Sequence, residues 1–345
     1  MDLRGIGGRL RRKVDLLPDD LFQINDRIRR AFHKVAFSDI TEDEDIRHLA
    51  EEGYHAFLRV FDPKARDEFR RLLTYSRNTT IEITTDDFFL PWELLYIDSI
   101  ERPISSENFL GAKYVISRII DAGDVPFISP YISQVTPRIG LLTNNDLEYV
   151  SLREVPFFDR LQEEQKIFLF KLGILNPNDK QNGMRNFEVF LDGPLDIAHF
   201  ACHAFGNNEH DLSNLVLSEQ FEIALSDLEK LEQLQLRDNP IVVLNACGTG
   251  NINSRHASFF AKAFLKFGAR GVIATDCEVP DSFAAEFAEH FYSEFLDGTP
   301  LGESLLKIRR YFLQELNKPA VLIYSMYATP MIRIANRQIS RWQGE

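Results

Sequence analysis

Two residues in this sequence have the types and the placement to do covalent chemistry together. The run DIAHFAC (196–202) leads directly into His203, and VVLNA (242–246) leads directly into Cys247. A thiol is mostly protonated at neutral pH, and a nearby imidazole accepts its proton or stabilises the thiolate, so the pair has the makings of a nucleophile and its base. Both runs read as buried strands. Neighbouring strands lie about 5 Å apart, which would bring the two strand tips into one cleft. Each residue also has an ordinary alternative, because free Cys is among the most buried residue types and a single His is commonly a hydrogen-bonded structural group. The surrounding sequence has to decide.

Such a pair needs a scaffold of adjacent parallel strands, and the second part of the chain has that pattern. RIGLLT (138–143), LDIAHFAC (195–202), PIVVLNAC (240–247) and GVIAT (271–275) are short apolar runs separated by helical ones. Between the last two, residues 257–267 place Phe259, Phe260, Ala263, Phe264 and Phe267 on one helical stripe, with Gly268 as the stop. This β-α-β order predicts an α/β protein whose mainly parallel sheet is flanked by helices, with its ligand site at the carboxyl ends of the strands. Alternation along the strand puts His199 on the side of His203, as a buried supporting group, and turns Cys202 into the helix layer. His256 and His290 fall in helical patterns, as surface or packing residues.

The first part reads differently. Residues 16–73 carry apolar positions at three- and four-residue intervals, predicting two or three amphipathic helices. Strand and hairpin patterns follow from about Thr80, in TTIEITTDDFFLPWELLYIDS and NFLGAKYVISRII, with Trp92 assigned to sheet core and Asp86-Asp87 to a turn. The Pro- and Gly-containing stretch 121–134 reads as a linker. We therefore expect an N-terminal helical and β lobe, 1–130, and a second lobe, 131–345.

Bulk properties narrow the function classes. The 345 residues are 44% hydrophobic and 26% charged, a globular composition. Asp and Glu total 52 against 39 for Lys and Arg, and the net charge of −13 argues against a phosphate-tracking surface for nucleic acid. No apolar stretch has the length of a membrane-spanning helix, and residues 1–13 lack the apolar core of a signal peptide. Three cysteines, Cys202, Cys247 and Cys277, make an odd and sparse set for disulfides and suit a reducing cytoplasm. HExxH, GxSxG, P-loop and spaced Cys/His motifs are missing, so no metal or cofactor is expected.

HFACHAF, VVLNACGTG, AKAFLKFGARGVIATDCEVPDSFAAEFAEHFYSEFLDGTPLGESL and AVLIYSMYATP, in this order, resemble the CHAT domains of the caspase and separase clan. LPWELLYIDS and FLGAKYVISR resemble that family's N-terminal half, so the likeness extends over residues 50–333. The resemblance implies a caspase-like fold whose first lobe is a degenerate caspase-like half. It implies a cysteine endopeptidase with His203 as the catalytic His, Cys247 as the nucleophile, and backbone amides of Ala204, Cys247 and Gly248 around the oxyanion. Gly248-Thr249-Gly250 would form a loop passing close to substrate.

The resemblance to separases also puts Asp281 where a basic residue before the cut would be recognised, although Asp there equally suits the N-cap of the following helix. Asp276 and Glu278 are further acids for the same wall, and several CHAT relatives prefer apolar residues instead. One departure stands out: family members commonly have Gly directly after the catalytic His, and this chain has Ala204, which would be strained if that position needed a positive φ. The implied partners are a protein or peptide substrate and an activating protein, without nucleic acid or membrane. A rival of another class is a binding or scaffold module that keeps the fold and holds a partner without cutting it.

Overall fold

The computed structural model describes residues 2–5, 8–11, 17–38, 42–74, 80–84, 90–120, 128–132, 135–172, 180–205, 213–218, 221–231, 234–248 and 254–335. The chain divides into two compact units. The first joins residues 1–120 with 305–326, and the second joins 121–304 with 327–345.

In the first unit, helices form where the sequence is amphipathic: α1 (Pro18–Ala36), α2 (Asp43–Val60) and α3 (Pro63–Thr74). Pro18 opens α1 with Asp19 and Asp20 in its first turn and His33 and Lys34 in its last, complementing the helix dipole at both ends. Ile24, Ile28, Ala31, Phe32 and Val35 form its buried stripe. A four-stranded sheet holds β1 (Asp2–Gly5), β2 (Gly8–Arg11), β3 (Thr80–Thr84) and β4 (Val115–Ile119) in the order β2-β1-β3-β4, with a short helix, α4 (Leu110–Lys113), before β4.

Sheet thus begins at Asp2, earlier than the predicted start near Thr80, because strands of four residues are too short for alternation to register. Trp92 is 2% exposed, yet Trp92–Leu94 is a 3₁₀ turn and not sheet; Pro91 before it has no N–H to give a ladder. The turn delivers Glu93 inward, where it pairs with Arg118 of β4 and with Arg309 of the returning segment. Arg309 also donates to the carbonyls of Gly111 at 3.4 Å and Tyr324 at 2.5 Å. This buried cluster holds residues 305–326 in the first unit, a long-range tie that no local pattern reveals. Asp86 and Asp87 lie outside the described residues.

The second unit is built on a larger, mainly parallel sheet. Its strands are β6 (Arg138–Thr143), β7 (Phe168–Lys171), β8 (Ile197–Phe205), β9 (Asn214–Ser218), β10 (Phe221–Ala224), β11 (Ile241–Gly248), β12 (Gly271–Thr275) and the last two residues of β13 (Tyr324–Ala328), whose first three belong to the first unit. The order is β10-β9-β8-β11-β12-β13, with β6 beside β8 and β7 beside β6. The β7-β6, β6-β8, β8-β11 and β11-β12 pairs are parallel, and the β8-β9 and β9-β10 pairs antiparallel. Outside this sheet, β5 (Tyr131–Ile132) pairs with β14 (Arg333–Ile334), so part of the expected linker is strand; 121–127 and 133–134 lie outside the described residues.

Both faces of the sheet are covered. On one, Phe200 of β8 meets Phe187 of α6 (Lys180–Leu191) and Phe264 of α8 (Ser254–Lys266). On the other, His199 meets Phe158 of α5 (Val155–Glu163) and Tyr292 of α9 (Asp281–Leu296). A short helix, α7 (Leu225–Glu229), follows β10. α8 ends as predicted at Gly268, whose φ of +95° is the left-handed conformation a glycine adopts without strain. Among the described residues, no helix is long and apolar enough to cross a membrane.

Candidate active site

The ladder between β8 and β11 runs from Ile197↔Ile241 to Ala204↔Gly248 and pairs Cys247 directly with His203. Apolar residues on two adjacent parallel strands thus set the register that brings the two into opposition. Residues 197–202 are buried, and β8 reaches partial exposure at His203 and Ala204. Cys247 and Gly248 are described through their backbone, and Gly206, Thr249 and Gly250 lie outside the described residues.

β8 runs past Cys202, where the apolar pattern stops, because β9 takes over as its neighbour. β6 pairs with Ile197–Ala201, then β9 pairs antiparallel with His203–Phe205 along the same edge. Asn144, 1% exposed, sits where the two neighbours diverge. Its backbone N–H donates to the Ala201 carbonyl at 2.8 Å, its Nδ2 donates to the Val216 carbonyl at 3.2 Å, and Oδ1 accepts from the Asp146 amide at 2.9 Å. Val216 is the β9 partner of His203. Across the sheet, the Thr275 hydroxyl donates to the Ala246 carbonyl at 3.1 Å, which fixes the peptide just before Cys247 to β12.

Ala204 is extended. Among described residues other than Gly, positive φ occurs at Gln165, Asn239 and Asn317 alone, and Ala204 pairs with Gly248 on one side and Leu215 on the other. The strain anticipated for a Cβ at this position does not arise.

Below His203 and Cys247, on the same face of the two strands, lies a polar cluster inside the core. Glu154 and Asn245 are 1% exposed, and His199 and Tyr292 are 0% exposed. Asn245 Nδ2 donates to Glu154 Oε1 at 2.7 Å and to the Ala284 carbonyl at 3.0 Å. His199 Nε2 lies 2.6 Å from the same Glu154 oxygen, and Nδ1 lies 2.9 Å from the Tyr292 hydroxyl. Burial and the Glu154 charge hold the Tyr292 phenol well above its ordinary pKa. The phenol therefore stays protonated, and with the Nε2–H tautomer of a neutral His199 it donates to Nδ1 while Nε2–H donates to Glu154.

Glu154 is presented by a π-helical turn, Val150–Glu154, that runs into α5. Turns of this kind are uncommon and recur at functional sites. Arg153 clamps the turn to Glu289 of α9 through Nε at 3.3 Å and Nη2 at 2.6 Å. The N-cap of α9 is Pro280 and not, as expected, Asp281, because Asp281 is already helical; as the first residue of α9 it accepts the Ser282 amide at 2.8 Å and, just before the turn, the Tyr149 amide at 3.4 Å.

The other acids after β12 differ in setting: Asp276 is 1% exposed, while Glu278 is half-buried. Cys202 is 0% exposed, and burial, with the Glu154 charge added, pushes its thiol pKa up, away from nucleophile chemistry. Cys277 is also buried, His290 is half-buried, and the His256 side chain lies outside the described residues.

Glu154, Tyr292, Asn144, Thr275 and Asn245 were not singled out from the sequence. For Asn245 a signal was available, a polar residue inside an apolar strand, like His199 in DIAHFAC. Glu154 lies in an ordinary charged stretch and leaves none.

A CHAT domain family model matches residues 176–343. A probable protease of Vitiosangium sp. is 26% identical over 145 residues, 40% of this chain; the match spans 19% of that protein's length. Among solved structures, the complex of Porphyromonas gingivalis RgpB pro- and mature domains aligns over 93% of this chain and 79% of that one, with 9% identity and a TM-score of 0.48. The Saccharomyces cerevisiae separase–securin complex aligns over 94% of this chain and 23% of that one, with 12% identity and a TM-score of 0.43. Residues 176–343, just under half of the chain, thus match a CHAT domain.

Proposed function

We propose that the protein is a cysteine endopeptidase in which Cys247 is the nucleophile and His203 its general base and acid. The observation that carries this reading is the direct pairing of Cys247 with His203 at the carboxyl ends of β8 and β11, where β8 reaches partial exposure. His203 takes the thiol proton, and the sulfur attacks the scissile carbonyl carbon, moving the carbonyl π pair onto oxygen. Backbone N–H groups of Ala204, Cys247 and Gly248 stabilise that oxyanion. Collapse breaks the C–N bond as His203 passes its proton to the leaving amine, giving a thioester. Water, deprotonated by His203, then attacks the thioester; the S–C bond breaks, releasing the acid and restoring the thiol.

The extended conformation of Ala204 supports catalysis over the scaffold alternative, whose one supporting feature was strain at that residue. For the substrate side chain, Asp276 and Glu278 just beyond β12 are the acids assigned to the wall, favouring a basic residue before the cut. Asp281 has both carboxylate oxygens engaged by backbone amides and serves first as a structural clamp. Free thiols fit a cytoplasmic setting. Activity in isolation is low and rises when a protein partner docks.

The test treats wild type and Cys247→Ala with an electrophilic peptide probe library, and locates the adduct by mass spectrometry. Modification at Cys247, with proteolysis lost in the variant, is expected. Adducts on Cys202 or Cys277 in preference, or equal proteolysis by Cys247→Ala, would remove the assignment.

A further inference from the structure

We infer that Glu154, through Asn245 and His199, is a positioning residue for the His203–Cys247 pair. The inference rests on the peptidase reading above, and it concerns residues that touch neither substrate nor reacting atoms. Glu154 Oε1 binds one side chain from each of the two strands that carry the pair: His199 of β8 at 2.6 Å and Asn245 of β11 at 2.7 Å. His203 is four residues beyond His199, and Cys247 two beyond Asn245, so both pairs share one face. A single carboxylate therefore cross-links β8 and β11 directly under the place where the thiol and imidazole must meet.

Three features point to a role beyond filling the core. First, a buried carboxylate with an imidazole, amide and phenol is a costly way to fill space that apolar side chains would fill as well, and breaking it leaves a charge or dipole unpaired. Secondly, the backbone widens into a π turn to deliver Glu154, and that turn is held on α9 by Arg153–Glu289 and Asp281–Tyr149. Thirdly, every side chain of the cluster has a partner: His199 bonds Tyr292 and Glu154, and Asn245 donates to Glu154 and to the Ala284 carbonyl. Parallel ladders alone allow small slides and twists, and the cross-link removes that freedom where sub-ångström placement sets the reaction rate.

The test reads the alkylation rate of Cys247 by iodoacetamide, site by site by mass spectrometry, well below each variant's unfolding temperature. Wild type is compared with His203→Ala, Glu154→Gln, Glu154→Ala and Asn245→Ala. Glu154→Gln keeps an acceptor oxygen for both partners and should stay within about threefold of wild type, whereas Glu154→Ala and Asn245→Ala should slow alkylation about ten- to a hundredfold, as expected of a misplaced pair. If Glu154→Ala does not fold, Asn245→Ala, a smaller change, carries the comparison.

A merely structural cluster would lower the unfolding temperature of both variants and leave Cys247 reactivity in the folded protein unchanged, which would overturn the inference. If His203→Ala slows alkylation while Asn245→Ala does not, the dyad stands and the positioning role falls. If His203→Ala has no effect, the dyad reading falls and takes the positioning role with it.

Discussion

Replacing Asp281 separates two uses of one carboxylate, and the structure assigns it to the backbone. The 2.8 Å bond from the Ser282 amide is of ordinary strength, and the 3.4 Å bond from the Tyr149 amide is long and weak. With Pro280 at the N-cap, Asp281 contributes as a hydrogen-bond acceptor worth about 0.5–1.5 kcal/mol net, of which its interaction with the dipole accounts for about 0.3–1 kcal/mol. With one bond weak, Asp281→Ala should cost about 1–1.5 kcal/mol, lowering Tm by about 3–5 °C for a unit of this size. The variant is measured by denaturant and thermal unfolding, and by cleavage of matched peptides with Arg or Lys, Leu or Met, and Asp before the scissile bond. Lower stability with unchanged ranking of the peptides is expected. Unchanged stability together with loss of the Arg/Lys preference would refute it and return Asp281 to the pocket wall.

Two further outcomes follow from the buried groups. Cys202 and Tyr292 both have pKa values raised in the folded protein, so their contribution is complete at low and neutral pH and is lost as pH rises. Above about 8.5 for the thiol and about 10 for the phenol, the unfolded chain releases protons that the native state keeps, and stability falls by up to about 1.4 kcal/mol per pH unit per group. The urea midpoint should fall on the alkaline side, with Cys202→Ala flattening the earlier part and Tyr292→Phe the later; identical curves for all three proteins contradict this. Asn144→Ala removes the side-chain bonds to Val216 and Asp146 at the β6–β9 divergence and should cost about 1–3 kcal/mol by leaving buried groups unpaired. Hydrogen exchange should rise at His203–Phe205 in that variant more than at Ile197–Ala201; uniform exchange along β8 would show that Asn144 does not hold the divergence.

The parts of the fold set by local pattern were legible. β6 and β12 occupy the predicted residues, α8 stops at Gly268, and the amphipathic intervals of the first unit became α1, α2 and α3. Tertiary partners redrew the rest. β8 was expected to stop at Cys202, and pairing with β9 carries it to Phe205, a contact between segments whose own patterns say nothing of each other. Trp92 was read as strand, and the need to aim Glu93 at Arg118 and Arg309 makes it a turn.

At the candidate site, strand ends made His203 and Cys247 visible, and the register places them opposite one another. The support beneath them was half visible, as His199 and Asn245 interrupting apolar runs. Glu154 and Tyr292 join it through α5 and α9 packing, which no spacing in the sequence encodes. Ala204 shows the converse: its identity raised a concern about strain that its extended backbone removes.

The central claim is that the imidazole of His203 acts on the thiol of Cys247, and the thiolate itself can be watched. Ultraviolet absorbance near 240 nm, taken as wild type minus Cys247→Ala across a pH titration, reports the ionisation of this one thiol. The account predicts that it ionises below about 7.5, under the free-thiol value of about 8.5, and that His203→Ala returns it toward that value. A titration at the free-thiol value or higher, unaltered by His203→Ala, would contradict it.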